Sequence, residues 1–529
     1  MRHTSYVYLA ALVVTACSTT GGGSPAGGDA ADTGARQDAS RDAAARKRDG
    51  ATDAGRADAA HDATRHDGGV DATLDSGADA THDAPTDSAI DVSHEAAPAD
   101  ALADAAPDGL VDSGRDVNVT PVDGSVVDPC LLPGTVQFTM SGKTTVAGGS
   151  PSDPSLAFLT LPPGFCAHYF GTVPDARQIR FAPGGELFVA SPTMISTGGD
   201  PTGALNAIVI LPDDNLDGVA DSRLTFLSFP APSTTQGMLF TPGYFYYQDG
   251  TSPGTIINRV AYAAGERTPS GASEQVANLN AYTSSVHWPK AMDLADDGTI
   301  YVGNGGDQGE SCVFPHPVHG AVYKIDPAPG GGHPNGQEVA QGLRNPISIK
   351  CRAGHNTCFG LELAKDYSAG TGGREKMFPI HAGDDWGFPC CATTNLPYQG
   401  SPSGTDCSGV VSDTNSFMIG DTPFSLEFEP GNWPGVWAGR AYVVTHGQAG
   451  SWKGARMVAI PMDASTGLPM ASTDTDGGDV GMLDFATGWD DETLSHGRPA
   501  ALAFSRDGRL FVANDNNGVI FWIAPMTPQ

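Results

Sequence analysis

The chain is 529 residues long and strongly acidic, with 61 Asp and Glu against 29 Lys and Arg and a formal net charge of −32. That balance argues against nucleic acid as a partner, because a phosphate backbone is held by clustered cations. The 68 glycines and 40 prolines fit a turn-rich chain, and nine cysteines raise the question of disulfides.

The first residues read as an export signal. Arg2 and His3 form a short basic region, and the apolar run from Tyr6 to Val14 is too short to span a bilayer. It ends Val14-Thr15-Ala16-Cys17, which resembles the lipobox of bacterial lipoproteins. That resemblance implies lipidation of Cys17 and a place in the bacterial cell envelope, at the outer membrane or cell surface. The alternative is an ordinary cleaved signal ending in cysteine. From Ser18 to Pro129 the chain is mostly Asp, Ala, Gly, Ser and Thr, with 23 acidic and 8 basic residues. Such a segment buries too little apolar surface to offset chain entropy, so it is expected to be a disordered acidic linker. As a flexible coil it would span about 60 Å.

From Cys130 to Gln529 the composition changes to Gly, Pro, aromatic and β-branched residues. Six short segments share one pattern: 177–181, 236–240, 289–294, 345–349, 423–428 and 498–504. Several run on through a glycine turn into a second strand, as in Asp507-Gly508-Arg509-Leu510-Phe511-Val512. Paired strands repeating in this way predict an all-β fold, a six-bladed β-propeller preceded by the signal peptide and linker. Besides Cys17, eight cysteines remain, an even number that favours disulfides. Cys351 and Cys358 flank a predicted turn and form the most plausible pair, with a zinc site involving His355 as the rival.

A propeller places the start of each innermost strand around a central funnel. Superposed, the six repeats put Arg177, Gln236, His287, Arg344 with Asn345, Thr422 and Arg498 there. Arginines and a histidine in one register point to an anionic ligand. Elsewhere Asp213, Asn215, Asp217 and Asp221 alternate around Gly218, a spacing suited to a structural calcium ion. An Asx-rich turn is the alternative.

The stretch His287-Trp288-Pro289-Lys290-Ala291-Met292-Asp293-Leu294, followed by an Asp296-Asp297-Gly298 turn and Asp307-Gln308-Gly309, resembles the soluble sugar dehydrogenases that use pyrroloquinoline quinone (PQQ). The similarity continues in order through Gln236-Gly237-Met238-Leu239, Arg344-Asn345-Pro346, Trp386-Gly387-Phe388-Pro389, His446-Gly447 with Ser451-Trp452-Lys453 and Arg456, and Gly497-Arg498-Pro499 with Asn514-Asp515. It implies a PQQ- and calcium-dependent oxidation of an aldose or related sugar. In it His287 is the general base, with Asp307 in its loop. Gln236, Asn345, His446 and the cations Arg177, Arg344, Lys453, Arg456 and Arg498 face the cofactor. The family's calcium loop has no Gly-Pro counterpart in Leu363-Ala364-Lys365-Asp366-Tyr367, which shifts the expected ligand to Asp366 and nearby carbonyls. No Cys-x-x-Cys-His occurs, so the electrons need a separate acceptor. The rivals are a non-catalytic carbohydrate- or protein-binding propeller and a metal-dependent lactonase-type hydrolase.

Deleting Ser18 to Pro129 while retaining Cys17 should leave the melting temperature of the folded part unchanged; a large drop would contradict a disordered linker. Cys17→Ser should move the protein from the membrane to the soluble fraction, and continued membrane attachment would contradict lipidation.

Overall fold

A computed structural model describes residues 128–527, except 150–153, 194–202, 252–253, 280–286, 307–310, 313–319, 366–374, 413–414, 418–420, 449–450, 471, 474–481 and 492–494. The signal, Cys17 and nearly all of the linker therefore lie outside the described residues. Order begins slightly before Cys130: the Asp128 side chain accepts the Cys130 N–H at 2.9 Å and caps a short 3₁₀ turn, Pro129–Leu131.

Six blade sheets surround one axis, antiparallel but for a parallel edge strand in the fourth, and no α-helix occurs among the described residues. The first blade comprises Gln178–Phe181, Leu187–Ser191, Ala207–Leu211 and Leu224–Ser228. The second contains Met238–Thr241, Tyr244–Gln248, Ile256–Ala261 and Glu274–Asn278. The third runs through Met292–Leu294, Ile300–Asn304, Gly320–Ile325 and Gln337–Leu343. Asn345–Arg352, Thr357–Leu363, Glu375–Pro379 and Asn415–Phe417 make the fourth, with Ser472–Thr473 added at its edge. The fifth holds Pro423–Phe428, Ala441–Thr445, Arg456–Ile460 and Leu483–Ala486. Pro499–Phe504, Leu510–Asn514 and Val519–Pro525 begin the sixth, whose next strand is Phe165–Thr172 from the start of the domain.

That last pairing joins the two ends of the domain and closes the ring, with Phe165 opposite Pro525 and Thr172 opposite Val519. It removes two sheet edges that would otherwise need covering. A disulfide between Cys130 and Cys166 fastens the same place.

The middle strands of the first blade are almost wholly apolar because neighbouring blades cover both faces. Leu187–Ser191 and Ala207–Leu211 are buried at every residue. The inner hairpins turn at glycine in the first, third and sixth blades, where Gly185, Gly298 and Gly508 have φ of 101°, 85° and 87°. A side chain disfavours that conformation, which accounts for the Asp-Gly and Gly-Gly signals in the sequence.

All eight cysteines of the domain pair, as Cys130–Cys166, Cys312–Cys390, Cys351–Cys358 and Cys391–Cys407. Cys351 and Cys358 are direct cross-strand partners, so no thiolate is left there for zinc.

Polar groups tie the blades together along the axis. Arg180 donates to the carbonyls of Met238 and Met292 at 2.8 and 3.0 Å and pairs with Asp293. The second oxygen of Asp293 accepts the Cys351 N–H at 2.9 Å, and Lys350 pairs with Glu427 at 2.6 Å. Arg180→Ala strips a buried carboxylate of its guanidinium and should cost about 3 kcal/mol. Denaturant unfolding checks this against Arg180→Lys, which should cost less; equal stability of Arg180→Ala and wild type would refute the role.

Candidate active site

The funnel is built from the starts of the inner strands and the ends of the strands beside them. Asp515 follows the sixth blade's second strand, and its N–H donates to the Arg498 carbonyl at 3.0 Å. Its carboxylate gathers side chains from three blades. Arg177 Nη1 donates to Oδ2 at 2.5 Å and His446 Nε2 at 2.9 Å, while Arg498 reaches Oδ1 through Nε at 3.1 Å and Oδ2 through Nη2 at 3.0 Å. Two rings back the guanidiniums: Arg177 lies 4.6 Å from the Phe424 centroid and Arg498 4.4 Å from that of Trp452. The His446 ring also meets Phe424, at 4.2 Å.

Burial pushes the Asp515 carboxyl up, but Arg498, His446 and Arg177 outweigh it and hold the group well below the usual carboxylate range. Burial, then the charge of Arg498, lowers His446 to about 3, with Asp515 offsetting this only in part. His446 is thus neutral, its Nε2–H spent on Asp515.

A second group forms between the third and fourth blades. His287 Nδ1 lies 3.0 Å from the Gly306 carbonyl, which can only accept, so Nδ1 carries the hydrogen and Nε2 the lone pair. Gly306 N–H donates in turn to the Arg344 carbonyl at 2.7 Å. Arg344 N–H is held by Glu362 Oε1 at 2.8 Å, and Glu362 is neutralised by Lys376 at 3.1 Å in the interior. A Cβ on Gly305 would come within 2.6 Å of His287 Cβ and 2.9 Å of Asn345 Oδ1, so glycine permits this approach. Burial, then Arg344, lowers His287 to about 3, with Lys290 acting the same way and the Gly306 carbonyl opposing.

Gln248 locks the neighbouring segment. It accepts from the N–H groups of Gly237 and Lys290 at 3.3 and 3.1 Å, and donates to the carbonyls of Trp288 and Gly254 at 2.7 and 3.0 Å.

Several buried atoms around the funnel have no hydrogen-bond partner among the described residues: Arg177 Nε and Nη2, Gln236 Oε1, Asn345 Oδ1, and both polar atoms of the Asn304 side chain. Buried polar groups are normally satisfied, so a set of them at one place fits a missing polar ligand. Arg177 and Arg498 outnumber the ionised Asp515 that both of them meet, and Glu362 is matched by Lys376. The surplus is cationic, which suits a ligand bearing carboxylates.

The structure thus brings Arg177, His446 and Arg498 together on Asp515, and His287, Arg344 and Asn345 together on the Gly305–Gly306 turn. Gln236 is buried beside Gly237. Lys453 and Arg456 do not join either group. Lys453 is exposed, and Arg456 turns to Asp421 and Asp484 at 3.0 and 3.2 Å, so Trp452 is the residue of that segment that reaches the cluster. Asp307 and Asp366 lie outside the described residues.

The carboxylates expected to hold calcium are engaged by their own loop. Asp213 accepts from the N–H groups of Asp217 and Gly218 at 3.1 and 3.2 Å, Asn215 from Asp217 at 2.9 Å, Asp217 from Val219 at 2.9 Å, and Asp221 from Asp214 at 2.5 Å. This is an Asx-turn network. No group of three or more His, Cys, Asp or Glu among the described residues could hold a metal ion, so these residues do not fit the expected calcium.

No family model and no curated protein matches the chain. Solved structures do. An iodide structure of a Trichoderma reesei carbohydrate-active enzyme of family AA12 is 16% identical, over 72% of this chain and 99% of that one, with a TM-score of 0.55. The holo pyranose dehydrogenase PQQ domain from Coprinopsis cinerea is 18% identical, over 71% and 98%, with a TM-score of 0.54. A calcium structure of the Trichoderma reesei enzyme is 16% identical, over 71% and 98%, at 0.55. At these identities the likeness is one of fold. The chain has the six-bladed propeller fold of the soluble PQQ sugar dehydrogenases, the fold that the resemblance in its sequence implies.

A histidine kept neutral by burial destabilises the folded state in acid. The unfolded chain takes up its proton near pH 6.5, while the folded one resists until about 3 for both His287 and His446. Stability should therefore fall as pH drops through that window, and His287→Gln should flatten the curve. Parallel curves for variant and wild type in thermal scans would contradict this.

Proposed function

We propose that the funnel binds PQQ and that the protein oxidises an aldose or related sugar, with His287 accepting the hydroxyl proton. The observation that supports this most is the cationic surplus together with the N–H groups of Arg177 that have no partner among the described residues. Arg177, Arg344 and Arg498 would hold the cofactor's carboxylates, and Gln236 and Asn345 would meet its remaining polar edge. When bound, PQQ supplies a two-electron acceptor for the hydride that leaves the sugar carbon.

The protein's own part is orientation and proton transfer. Asp515 fixes two of the arginines from below, and Phe424 and Trp452 back their planes, so little reorganisation accompanies binding. His287 presents Nε2 because Nδ1–H is anchored on Gly306. A pKa near 3 is low for a base; burial depresses it most, and Arg344 is the charge that adds most to this. An anionic cofactor on Arg344 offsets that charge and lifts His287 towards a working value.

No calcium position is assigned among the described residues, and the one expected at Asp366 lies outside them. A separate acceptor would take the electrons, at the envelope site to which Cys17 anchors the protein. A lactonase-type hydrolase would need several carboxylate ligands gathered at the funnel, and of those described there Asp515 is committed to arginines and Glu362 to Lys376, which leaves Asp175 alone. A non-catalytic binding propeller would retain the anion site without turnover.

Purified protein given PQQ and calcium should reduce a dye with some member of a sugar panel. His287→Gln should lose 10² to 10⁴-fold in turnover at nearly unchanged PQQ affinity, the usual range for removal of a general base. Arg498→Ala should weaken PQQ binding by about 2 kcal/mol through lost charged hydrogen bonds. Saturable binding without turnover would favour the binding propeller, and no binding at micromolar PQQ would remove the quinoprotein reading.

A further inference from the structure

Asp175 precedes the inner strand of the first blade and is not needed by the chemistry above. It is buried, 2% exposed, and adopts a left-handed backbone with φ of 51°. Its Oδ2 has no hydrogen-bond partner among the described residues. The charges that face it are Arg177 on its own loop and Arg498 and Asp515 from the sixth blade, with His446 of the fifth blade behind Asp515.

These two acids share the same two arginines but differ in their donors. Asp515 receives four hydrogen bonds, from Arg177, His446 and twice from Arg498. Asp175 has an oxygen that meets none among the described residues. A buried carboxylate oxygen without a donor favours protonation, so the charge settles on Asp515 and the proton on Asp175.

We propose that Asp175 and Asp515 hold one proton between them at neutral pH, carried by Asp175, and that this proton sets the charge with which the funnel meets an anionic ligand. Burial lifts the Asp175 carboxyl to about 8; Arg177 pulls it down, Asp515 pushes it up and Arg498 pulls it down again. With the proton in place Asp175 is neutral and the arginines stay in surplus. Its loss in alkali adds a negative charge beside Arg177 and Arg498 and weakens anion binding, by up to about tenfold per pH unit for a one-proton linkage. The anion in question is the cofactor of the preceding reading, and the part of the test that uses it rests on that reading.

Infrared difference spectra of the protein as purified, without added PQQ, decide the proton directly. A protonated-carboxyl C=O band should be present at pH 6.5, vanish as pH is raised through about 8, disappear in Asp175→Asn and shift in Asp175→Glu. Asparagine tolerates the left-handed backbone, so the first variant keeps the loop. No such band in wild type, or a band unchanged in both variants, overturns the proposal. Calorimetric titration with PQQ from pH 6.5 to 9.5 should show affinity falling with pH in wild type. In Asp175→Asn only the part due to Lys290, which burial lowers to about 7, should remain. Equal pH dependence in both overturns the proposal while leaving PQQ binding intact. Failure of PQQ to bind at any pH removes the cofactor reading instead, and the infrared band then decides this one.

Discussion

One buried carboxylate organises the funnel. Asp515 accepts from Arg177 of the first blade, His446 of the fifth and Arg498 of the sixth, all of them almost fully buried. Two guanidiniums that close would repel each other without it, and a lone carboxylate there would be costly without them. The arrangement also sits at the closure of the ring, because the sixth blade contains strands from both ends of the domain. The cation cluster therefore spans the first, fifth and sixth blades, next to the pairing that closes the ring.

The contrast between satisfied and unsatisfied polar groups gives the site its direction. On the axis, Arg180, Asp293, Lys350 and Glu427 are all paired with one another. At the funnel, atoms of Arg177, Gln236, Asn304 and Asn345 are buried without partners among the described residues. One set holds the blades together, and the other is poised for a molecule from outside. The fourth, fifth and sixth blades share a local device behind this. Their inner strands start Asn345-Pro346, Thr422-Pro423 and Arg498-Pro499, and each has a register shift just after the proline. Proline cannot donate to a ladder, so the strand bulges there and turns the preceding residue towards the funnel.

Much of this was legible in the sequence, for a specific reason. A propeller repeats one hairpin, so superposing the repeats exposes the funnel register and with it Arg177, Gln236, Arg344 and Arg498. His287 is also at the funnel but stands five residues before its inner strand, Met292–Leu294, rather than at its start. Asp515 belongs to a motif of the resemblance but has no role legible there, because a residue after a strand, in an Asn-Asp-Asn-Asn run, reads as turn chemistry until the arginines are seen around it. Trp452 was passed over for the charged Lys453 next to it, since a charge pattern does not say which neighbour points inward. The Asp213 loop reads two ways for a related reason: alternating side-chain oxygens serve a cation and an Asx turn equally well, and the hydrogen bonds present are those of the turn. Glu362 and Gln248, which position Arg344 and the Trp288–Lys290 segment, lie in strands with nothing in the sequence to set them apart.

The central claim is that the funnel is an anion site shaped for PQQ. A crystal structure of the protein grown with PQQ tests it most directly. The account predicts the cofactor in the funnel, with carboxylates within hydrogen-bond distance of Arg177 Nη2 and of Arg344, and His287 Nε2 facing its quinone edge. Cofactor absent from the funnel at saturating concentration, or bound elsewhere with Arg177 still without a partner, would contradict it.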